Sequence, residues 1–427
     1  MVLSGRFVAL AAVGVLLTAW SAAALGLYAL ALVVALVVDV GLAARIVDLR
    51  LARDPVAPVR LRERAATVLV LGNAGRRTLR AVVRDAWVPS AGATPRSHEV
   101  VVPRDEQRRV VTTLTPTRRG ERTTARVTVR SFGPLGLGAR QRQLAVPGTL
   151  QVLPAFASRR FLPEKLSRLR QLDGAVLVRQ RGQGSEFDSL RTYVLGDDVR
   201  AIDWRATARS RDVVVRTWRP ERDRHVVMVL DTGRSSAARI GDEPRLDAAL
   251  DACLLLGALC ARAGDRVALV AADVEVRARL GLTGGRDVLP RLVGAVAPLE
   301  PALVETDPHL LAAQVLRLTS KRSLVVVFSS LDIAADTGLL PAVRRLTGRH
   351  EVLVASPSDP ALGRLATTRE DPLDVYTAAA AEQAVLARAA VIDQLDATGV
   401  HVVHGDAELF ASRVADAYLD LKAAGRL

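Results

Sequence analysis

The pattern of apolar and polar positions divides the chain into three parts. No charged residue occurs from residue 7 to residue 38, and an apolar run of this length predicts membrane-spanning helices. Residues 58–150 instead form short runs of alternating apolar and polar positions between turn residues, which predicts a small antiparallel β-sandwich. From His225 onward, short apolar runs alternate with segments of helical periodicity, the pattern of a doubly wound α/β sheet.

The domain boundaries are placed where these patterns change. The first segment is a membrane anchor at 1–45 with two transmembrane helices, and the second is a β-sandwich-like domain at 55–150. A linker helix and a charged segment follow at 151–224, and an α/β domain occupies 225–427. In this last domain the apolar runs begin near 225, 266, 323, 350 and 399, and the helical patterns lie near 245–263, 307–319, 338–349, 378–398 and 406–424.

The length of the N-terminal apolar run favours a helical hairpin. A single helix over this run would be about 50 Å long, whereas the bilayer core is about 30 Å thick. Two spans at 7–22 and 25–42, joined by a tight turn, fit this thickness better. A secretory signal is the alternative, because Arg6 and the alanines at 22–24 resemble its charged start and its cleavage site. The apolar run continues past those alanines, which favours an anchor.

The charges around the apolar run predict its orientation. Arg6 precedes the run and several arginines follow it between residues 45 and 64, so the positive-inside rule places both ends in the cytoplasm. Asp39 is the charged residue inside the predicted spans, and we expect its carboxylate to reach water near the interface; a buried proton-relay role is the alternative. These features predict a multi-pass protein of the cell membrane with its soluble domains in the cytoplasm.

The excess of basic residues lies in the first half of the chain. The formal net charge is +14, and residues 1–230 hold 38 Lys and Arg against 19 Asp and Glu, whereas the remainder is acidic on balance. This basic half follows the apolar run, so the anionic lipids of the cytoplasmic leaflet are expected partners. Nucleic acid is the alternative partner, but the sequence carries no nucleic-acid-binding motif and we expect no such binding.

The two cysteines are predicted to be structural. Cys253 and Cys260 are seven residues apart in a predicted helix, which separates their Cα atoms by about 10 Å. This distance is beyond the reach of a disulfide. The spacing also fits no zinc motif, so both residues are predicted to be core positions of a protein from a reducing compartment.

A dense mixture of charged and aromatic residues occupies residues 182–216, which we call the charged block. Unpaired buried charges are costly, so a segment of this composition keeps its shape only when most of its charges have partners. Its candidate partner-binding or structural residues are Glu186, Phe187, Arg191, Tyr193, Gly196, Asp197, Asp198, Arg200, Asp203, Trp204, Arg205 and Arg209.

Three interpretations of the charged block follow from its chemistry. In the structural interpretation, its three central aspartates pair with Arg191, Arg200 and Arg205, while Trp204 and Phe187 fill the core. In the docking interpretation, exposed members of the same set give a protein partner its register and specificity. In the catalytic interpretation, one of its carboxylates acts as an acid or base beside a tyrosine.

The chain resembles the bacterial family known as domain of unknown function 58. The resemblance rests on the order of apolar hairpin, small β domain, the motif GSEFDSLRTYVLGDDVRAIDWRATARSRDVVVR and the following strand HVVMVLD. It covers nearly the whole chain. Members of that family often accompany MoxR-type AAA+ ATPases and carry a von Willebrand factor A-like domain. The resemblance therefore implies this architecture and this ATPase as a partner, and the family has no settled enzymatic activity.

The resemblance also implies a degenerate metal site. Von Willebrand factor A domains often hold a divalent cation with an Asp-x-Ser-x-Ser motif, a Thr and a second Asp from later loops. Asp231, Ser235 and Thr306 match this pattern, but Gly233 replaces the first Ser and Ser330 stands where the second Asp is expected. Mg²⁺ at this site is the implied cofactor, and the capping of loops and helix starts by the same residues is the alternative.

These observations predict a binding protein and not an enzyme. We expect a membrane-anchored cytoplasmic adaptor or scaffold that binds protein partners through its von Willebrand factor A-like domain, acting with a MoxR-type ATPase in protein maturation or complex assembly. A metal-assisted hydrolase that uses Asp231 and the charged block is one alternative. A membrane-tethered nucleic-acid binder is the other.

Overall fold

The computed structural model describes residues 2–16, 22–179, 186–195, 197–219, 224–331 and 336–427. These residues form a mixture of helices and several β-sheets, with apolar helices at the N-terminus. The chain divides into two compact units, Met1–Ala155 and Phe156–Leu427.

Two apolar helices begin the first unit. Helix α1 covers Gly5–Leu16 with 12 residues and α2 covers Ala22–Leu42 with 21 residues. At 1.5 Å per residue α1 spans about 18 Å, less than the bilayer core of about 30 Å, whereas α2 spans about 32 Å. The stretch Ala22–Asp48 contains an 18-residue segment with a mean hydropathy of 2.4 and is long enough to cross a membrane. The apolar N-terminus indicates membrane association. Residues 17–21, at the end of the predicted first span, lie outside the described residues, and residues 23–24, predicted to form the turn, belong to α2.

The carboxylate of Asp39 does not reach water, contrary to expectation. Asp39 is fully buried, and its oxygens accept the backbone N–H groups of Leu135 at 2.7 Å, Leu137 at 2.7 Å and Gly138 at 3.2 Å. Three donated N–H groups replace the hydration of a buried carboxylate. They tie α2 to a loop of the same unit that lies almost one hundred residues away, which local hydropathy does not reveal.

The strands of the first unit form two sheets. One has the order β1-β10-β9-β5-β7 with β3 also paired to β10, and the other has the order β2-β4-β8-β6. The strand bounds are β1 (Val2–Leu3), β2 (Leu49–Arg53), β3 (Val59–Arg60), β4 (Ala65–Asn73), β5 (Leu79–Asp85), β6 (Ala93–Thr94), β7 (His98–Val102), β8 (Gln107–Leu114), β9 (Gly120–Phe132) and β10 (Gly138–Leu153).

Alternating burial along these strands confirms most of the strand pattern predicted for the first unit. In β5, for example, Leu79, Ala81 and Val83 are buried while the residues between them are more exposed. The long strand β10 was not predicted. Its polar residues and a bulge between Ala145 and Gly148 interrupt the alternation, so only its pairing with β9 identifies it as a strand.

The second unit alternates helices and strands. Its strands are β11 (Glu186–Thr192), β12 (Val214–Arg219), β13 (His225–Asp231), β14 (Arg239–Ile240), β15 (Glu243–Pro244), β16 (Arg266–Ala272), β17 (Val276–Thr283), β18 (Leu324–Phe328), β19 (Glu351–Ser358) and β20 (His401–Asp406). Its helices are α3 (Leu162–Arg179), α4 (Trp204–Thr207), α5 (Arg234–Ala237), α6 (Arg245–Ala263), α7 (Val288–Val296), α8 (Pro308–Leu318), α9 (Asp336–Thr347), α10 (Pro360–Thr367), α11 (Pro372–Ala397) and α12 (Ala407–Ala423).

A largely parallel sheet organises this unit. Its order is β17-β16-β13-β18-β19-β20, and β17 is the antiparallel edge strand. Successive side chains of a strand point to opposite faces, so both faces of a buried strand need cover. Val226, Met228 and Leu230 of β13 pack with α6, α7 and α12 on one face, while Val227 and Val229 pack with α8, α9 and α11 on the other.

Two apolar helices of the second unit belong to its packing. Helix α11 is long and apolar enough to cross a membrane by composition, but its Val391 and Leu395 are buried in the core on one face of the sheet. Cys253 and Cys260 are buried, unpaired core residues of α6, as predicted. Burial raises the pKa of the Cys253 thiol to about 12, so it stays protonated.

Candidate functional site

The charged block folds as a small antiparallel hairpin. Strands β11 and β12 form a two-stranded sheet of their own. Between them, the 3₁₀ turn Val199–Ala201 and α4 lie along β12, where Ile202 forms a bridge to Val215. We call the described residues from β11 to β12 the charged hairpin. An isolated two-stranded hairpin is marginally stable in water, so the contacts inside this one are important for its shape.

The first carboxylates of the hairpin organise its turn. Asp197 accepts two hydrogen bonds from the Arg191 guanidinium, at 2.7 and 2.5 Å, and a third from the Val194 N–H at 2.9 Å. The Arg191 hydrogen bond is the main reason why the pKa of Asp197 lies below its usual value. Asp198 caps the 3₁₀ turn by accepting the Arg200 N–H at 2.9 Å. The predicted pairing of Asp197 with Arg191 is confirmed, whereas Asp198 receives the backbone of Arg200 and not its side chain.

Asp203 joins α4 to β12. One of its oxygens accepts the N–H groups of Arg205 and Ala206, each at 3.0 Å, as helix-capping residues do. The other oxygen accepts Arg216 Nε at 2.8 Å, and this hydrogen bond is the main cause of the lowered pKa of Asp203. The predicted ion pair with the Arg205 side chain is wrong, because the fold places Arg216 of the neighbouring strand opposite Asp203.

Several apolar side chains of the hairpin point outward, although Val215 of β12 is buried. Trp204 is 67% exposed and Leu195 is 96% exposed, and Leu190, Val194 and Val199 are exposed as well. The prediction that Trp204 fills the core is wrong. The hairpin has two strands, and no second layer among the described elements covers the Trp204 indole. The hairpin pairs its central carboxylates internally and presents apolar groups to solvent.

The remaining predicted residues of the block lie on or beside the same hairpin. The backbones of Glu186 and Phe187 belong to β11, but their side chains are not among those described. Gly196 lies outside the described residues. Tyr193 is half-buried at the end of β11, and Arg209 is exposed after α4.

A second polar cluster lies at the carboxyl edge of the parallel sheet. Strand β13 is flanked by β16, which follows it in the chain, and by the later strand β18, so the winding direction reverses beside β13. Ligand sites of such sheets are typically found at this position. Asp231 ends β13, and Ser329 follows the end of β18.

Asp231 gathers the hydroxyl groups of this edge. It is 3% exposed, and one of its oxygens accepts the Gly233 N–H at 2.8 Å and the Thr306 hydroxyl. The other oxygen accepts the hydroxyls of Ser235 at 2.9 Å and Ser329 at 2.7 Å. We call these five residues the carboxyl-edge cluster. The structure thus brings together Asp231, Ser235 and Thr306 as the sequence motif suggests, and adds Ser329.

The glycine in this motif has a packing reason. A Cβ at Gly233 would collide with the Thr306 hydroxyl and lie 2.8 Å from the Val304 carbonyl oxygen. The backbone N–H of Arg234 also donates to that carbonyl at 2.7 Å, which holds the loop against the motif. The serine of the adhesion motif cannot occupy position 233 unless this loop moves.

Residues that sequence reasoning missed surround the cluster. Thr232 donates to Asp273 at 2.9 Å, and Asp273 also accepts Arg277 Nε at 2.8 Å. Burial opposes the ionisation of Asp273, but these hydrogen bonds outweigh it and lower its pKa. Arg245 donates to the Ser330 hydroxyl at 2.6 Å, at the position where the adhesion motif has its second carboxylate. Only the position of Asp273 directly after a predicted strand could have indicated it.

The described residues of the carboxyl edge do not fit the implied Mg²⁺. Each oxygen of Asp231 already accepts two hydrogen bonds, and the three hydroxyls around it direct their hydrogens at the carboxylate. Mg²⁺ requires about six oxygen ligands in octahedral geometry. No group of three or more His, Cys, Asp or Glu that could hold a metal occurs among the described residues. Asp332, another acidic residue near this edge in sequence, lies outside them.

At Asp203 the catalytic interpretation of the charged block gains no geometric support, and the side chain of the other candidate, Glu186, is not among those described. A general acid must keep its proton near neutral pH, which requires a raised pKa. Asp203 has a lowered pKa, and both of its oxygens are occupied by hydrogen bonds within the hairpin. Its geometry is that of a structural carboxylate.

The resemblance to domain of unknown function 58 is confirmed over part of the chain by comparison with known proteins. The family model described as "Protein of unknown function DUF58" matches residues 189–384, which include most of the charged hairpin and the carboxyl-edge cluster. Uncharacterised proteins of Mycobacterium bovis and Mycobacterium tuberculosis are 28% identical to this chain over 181 residues. The match covers 42% of this chain and 56% of those relatives, so the chain spans about half of their length.

Solved structures with similar parts are distant. The conserved hypothetical protein BatB from Bacteroides thetaiotaomicron is 14% identical, with 47% of this chain and 99% of that chain covered and a TM-score of 0.32. An aerotolerance-related membrane protein from Bacteroides fragilis is 13% identical, with 46% and 98% covered and a TM-score of 0.31. The CARDB domain of a Pyrococcus furiosus protein is 18% identical, with 25% and 92% covered and a TM-score of 0.19. These similarities carry no functional conclusion.

Proposed function

Starting from a chain whose residues 189–384 carry the DUF58 family sequence, we propose that this protein is a membrane-anchored adaptor that binds protein partners. In this proposal the apolar helices hold the chain at the cytoplasmic face of the membrane. The α/β unit is von Willebrand factor A-like and presents the charged hairpin to a partner, for which a MoxR-type AAA+ ATPase is the candidate. The role is binding and not catalysis.

The observation that carries this proposal is the outward apolar surface of the charged hairpin. Its central carboxylates accept hydrogen bonds inside the hairpin, while Trp204 and Leu195 are exposed at 67% and 96%. Contiguous exposed apolar patches rimmed by polar residues often mark protein interaction sites. Tryptophan and arginine are also the residues that contribute most to binding energy at protein interfaces.

The orientation in the membrane rests on charge. Arg6 lies in the first turn of α1 and basic residues predominate after α2, so the anionic cytoplasmic leaflet would attract both ends of the apolar segment. Protease added to spheroplasts tests this orientation. We expect the soluble units to be protected in intact spheroplasts and digested after lysis. Digestion in intact spheroplasts would contradict the cytoplasmic location.

Affinity capture of the full-length chain from its own membranes tests the proposed partner. We expect an AAA+ ATPase to be recovered with the unaltered chain and about tenfold less of it with Trp204→Ala, because truncation of a tryptophan anchor typically costs more than 1 kcal/mol of binding. Val111→Ala is the matched control, since Val111 is an exposed apolar residue of the first unit. The proposal fails if no AAA+ ATPase is recovered, or if Trp204→Ala and Val111→Ala recover equal amounts.

A further inference from the structure

The charged hairpin contains an open groove beside Trp204. Its volume is about 330 Å³, within the range of sites that accept a few side chains of a ligand. The groove combines charged and apolar walls, which are Arg200, Ile202, Asp203, Trp204, Arg205 and Arg216.

Among the described residues, the groove has more arginine side chains than carboxylates to pair with them. Both oxygens of its carboxylate, Asp203, are occupied by the Arg205 and Ala206 N–H groups and by Arg216 Nε. Among the described residues, the guanidinium groups of Arg200 and Arg205 form no ion pair. Within the described part of the hairpin, two arginines therefore remain available to a ligand, while the carboxylate of the groove is already engaged.

The groove also has an apolar wall. The Trp204 indole is largely exposed, and Ile202 lies beside it on the stretch that bridges to β12. An arginine fork binds a carboxylate through two parallel hydrogen bonds, and an indole face accepts an apolar or aromatic side chain. The two walls lie within one groove, so a single short ligand segment can use both of them.

We propose that this groove binds a protein segment that carries Asp or Glu next to an aromatic or branched aliphatic residue. The carboxylate pairs with Arg200 and Arg205, and the apolar neighbour packs on Trp204. This inference deepens the proposed adaptor function. It rests on that function because both proposals place a protein partner on the charged hairpin. It specifies the chemistry of the bound segment and not the identity of its owner.

The composition of the hairpin favours a protein segment over nucleic acid. Single-stranded nucleic acid is bound by several aromatic rings along a basic groove. The described part of the groove offers one exposed ring and an engaged carboxylate, and Val194, Leu195 and Val199, which are exposed elsewhere on the hairpin, are aliphatic. Aliphatic groups contribute to protein interfaces but do not stack with bases.

Selection from a random peptide library tests the proposal while the partner is still unidentified. The full-length chain is placed in phosphatidylcholine nanodiscs, and phage that also bind the Trp204→Ala variant are removed. We expect the enriched peptides to contain Asp or Glu within two residues of an aromatic or branched aliphatic residue. Enrichment of peptides without acidic residues, or no enrichment over the variant, overturns the proposal.

Fluorescence anisotropy with the most enriched peptide then locates its contacts. We expect Arg200→Gln and Arg205→Gln each to weaken binding about tenfold, the loss expected when a charge-assisted hydrogen bond is removed, and the Asn or Gln version of the peptide to bind equally weakly. Arg211→Gln is the matched control because Arg211 is exposed on the same hairpin outside the groove, and it should change binding less than threefold. Equal losses in the Arg205 and Arg211 variants would show general charge attraction and overturn the site.

Competing occupants are separated in the same assay. We expect neither single-stranded oligo(dT) nor phosphatidylserine vesicles to displace the peptide at 150 mM salt, and light scattering to give the same particle mass for the chain and its Arg205→Gln variant. Displacement by oligo(dT) would assign the groove to nucleic acid, displacement by vesicles to anionic lipid, and a mass change to a second copy of the chain. Each of these results overturns the proposal. If the peptide binds but no AAA+ ATPase is captured, the groove proposal stands and the proposed partner is wrong. If an AAA+ ATPase is captured but no peptide binds, the proposed partner stands and the groove proposal is wrong.

Discussion

The charged hairpin and the carboxyl-edge cluster both concentrate polar side chains, but they differ in what they leave exposed. At the carboxyl edge, the buried Asp231 accepts four hydrogen bonds from the motif and from two later loops. On the hairpin, Asp197 and Asp203 accept three hydrogen bonds each, but Trp204 and the arginines beside it face solvent. The polar groups of the carboxyl-edge cluster are hydrogen-bonded to one another, whereas the charged hairpin keeps an exposed indole and exposed guanidinium groups that a partner can contact.

This difference shows why density of charge alone does not identify a binding site. A buried carboxylate that is fully hydrogen-bonded stabilises its surroundings and has little capacity left for a ligand. A surface that has paired its carboxylates and still exposes an indole and guanidinium groups has capacity for both apolar and ionic contacts. Four predictions would break or sharpen this comparison.

The largest expected effect is that of Asp231→Ala on the stability of the second unit. Removal of the carboxylate leaves buried hydroxyl and N–H donors without an acceptor, so we expect the free energy of unfolding to fall by about 3 kcal/mol. The two cysteines of the chain are both buried in this unit, so the urea dependence of thiol labelling measures its unfolding alone. Asp242→Ala, at an exposed position, is the control and should change the value by less than about 0.5 kcal/mol. A loss as small as that of the control would show that Asp231 is not the centre of this edge.

The next effect is that of Gly233→Ser, which restores the serine of the adhesion motif. The new side chain must displace the loop around Thr306, so we expect a loss of about 2 kcal/mol in the same unfolding measurement. Gly284→Ser is the control, because a Cβ at Gly284 meets only ordinary contacts. An unchanged stability that then rises with added Mg²⁺ would contradict the packing explanation and support a cation site.

A smaller effect separates the two regions by pH. The pKa values of Asp197 and Asp203 lie below 3.8, so their contribution to hairpin stability is complete above that pH and is lost as the pH falls through their lowered values. Burial raises the pKa of Asp251 on α6, so the protonated form of this carboxyl is favoured. Protonation of Asp251 in acid therefore does not destabilise α6 as protonation of Asp197 and Asp203 destabilises the hairpin. Hydrogen exchange, corrected for intrinsic rates, should therefore accelerate below pH 4 at residues 190–216 before it does so in α6. Simultaneous loss of protection in both regions would refute the assignment.

The smallest effect is that of Trp204→Ala on stability. Because the indole is 67% exposed, we expect the free energy of unfolding to change by less than about 0.5 kcal/mol in the thiol-labelling assay. The circular dichroism spectrum should also stay unchanged. A loss above about 2 kcal/mol would mean that the indole packs inside the protein, and the hairpin would then resemble the carboxyl edge.

Periodicity alone predicted much of the secondary structure. The buried strands of the parallel sheet are continuous apolar runs between amphipathic helices, so β13, β16, β18 and α6 lie close to their predicted positions. Edge strands are less apolar, and the antiparallel edge strand β17 was not predicted for that reason. Strand β10 escaped prediction because its bulge shifts the alternation partway along.

Side-chain partners across long sequence distances could not be predicted in the same way. The motif of Asp231, Ser235 and Thr306 was visible as a pattern, but the contribution of Ser329 depends on β18 lying beside β13. Likewise, the pairing of Asp203 with Arg216 follows from the bridge between Ile202 and β12. Charge pairs within a few residues are local chemistry, whereas these pairs are consequences of topology.

The amino-acid sequence by itself determined where this chain is apolar, where it alternates and where its charges gather, because those properties depend on near neighbours. Only the tertiary structure decided which carboxylates are satisfied and which side chains remain exposed. Asp39 accepts N–H groups from a loop almost one hundred residues away, and Trp204 faces solvent because no second layer covers the described part of its hairpin. Burial and hydrogen-bond partners are properties of the assembled fold, since both depend on which distant segments are brought together.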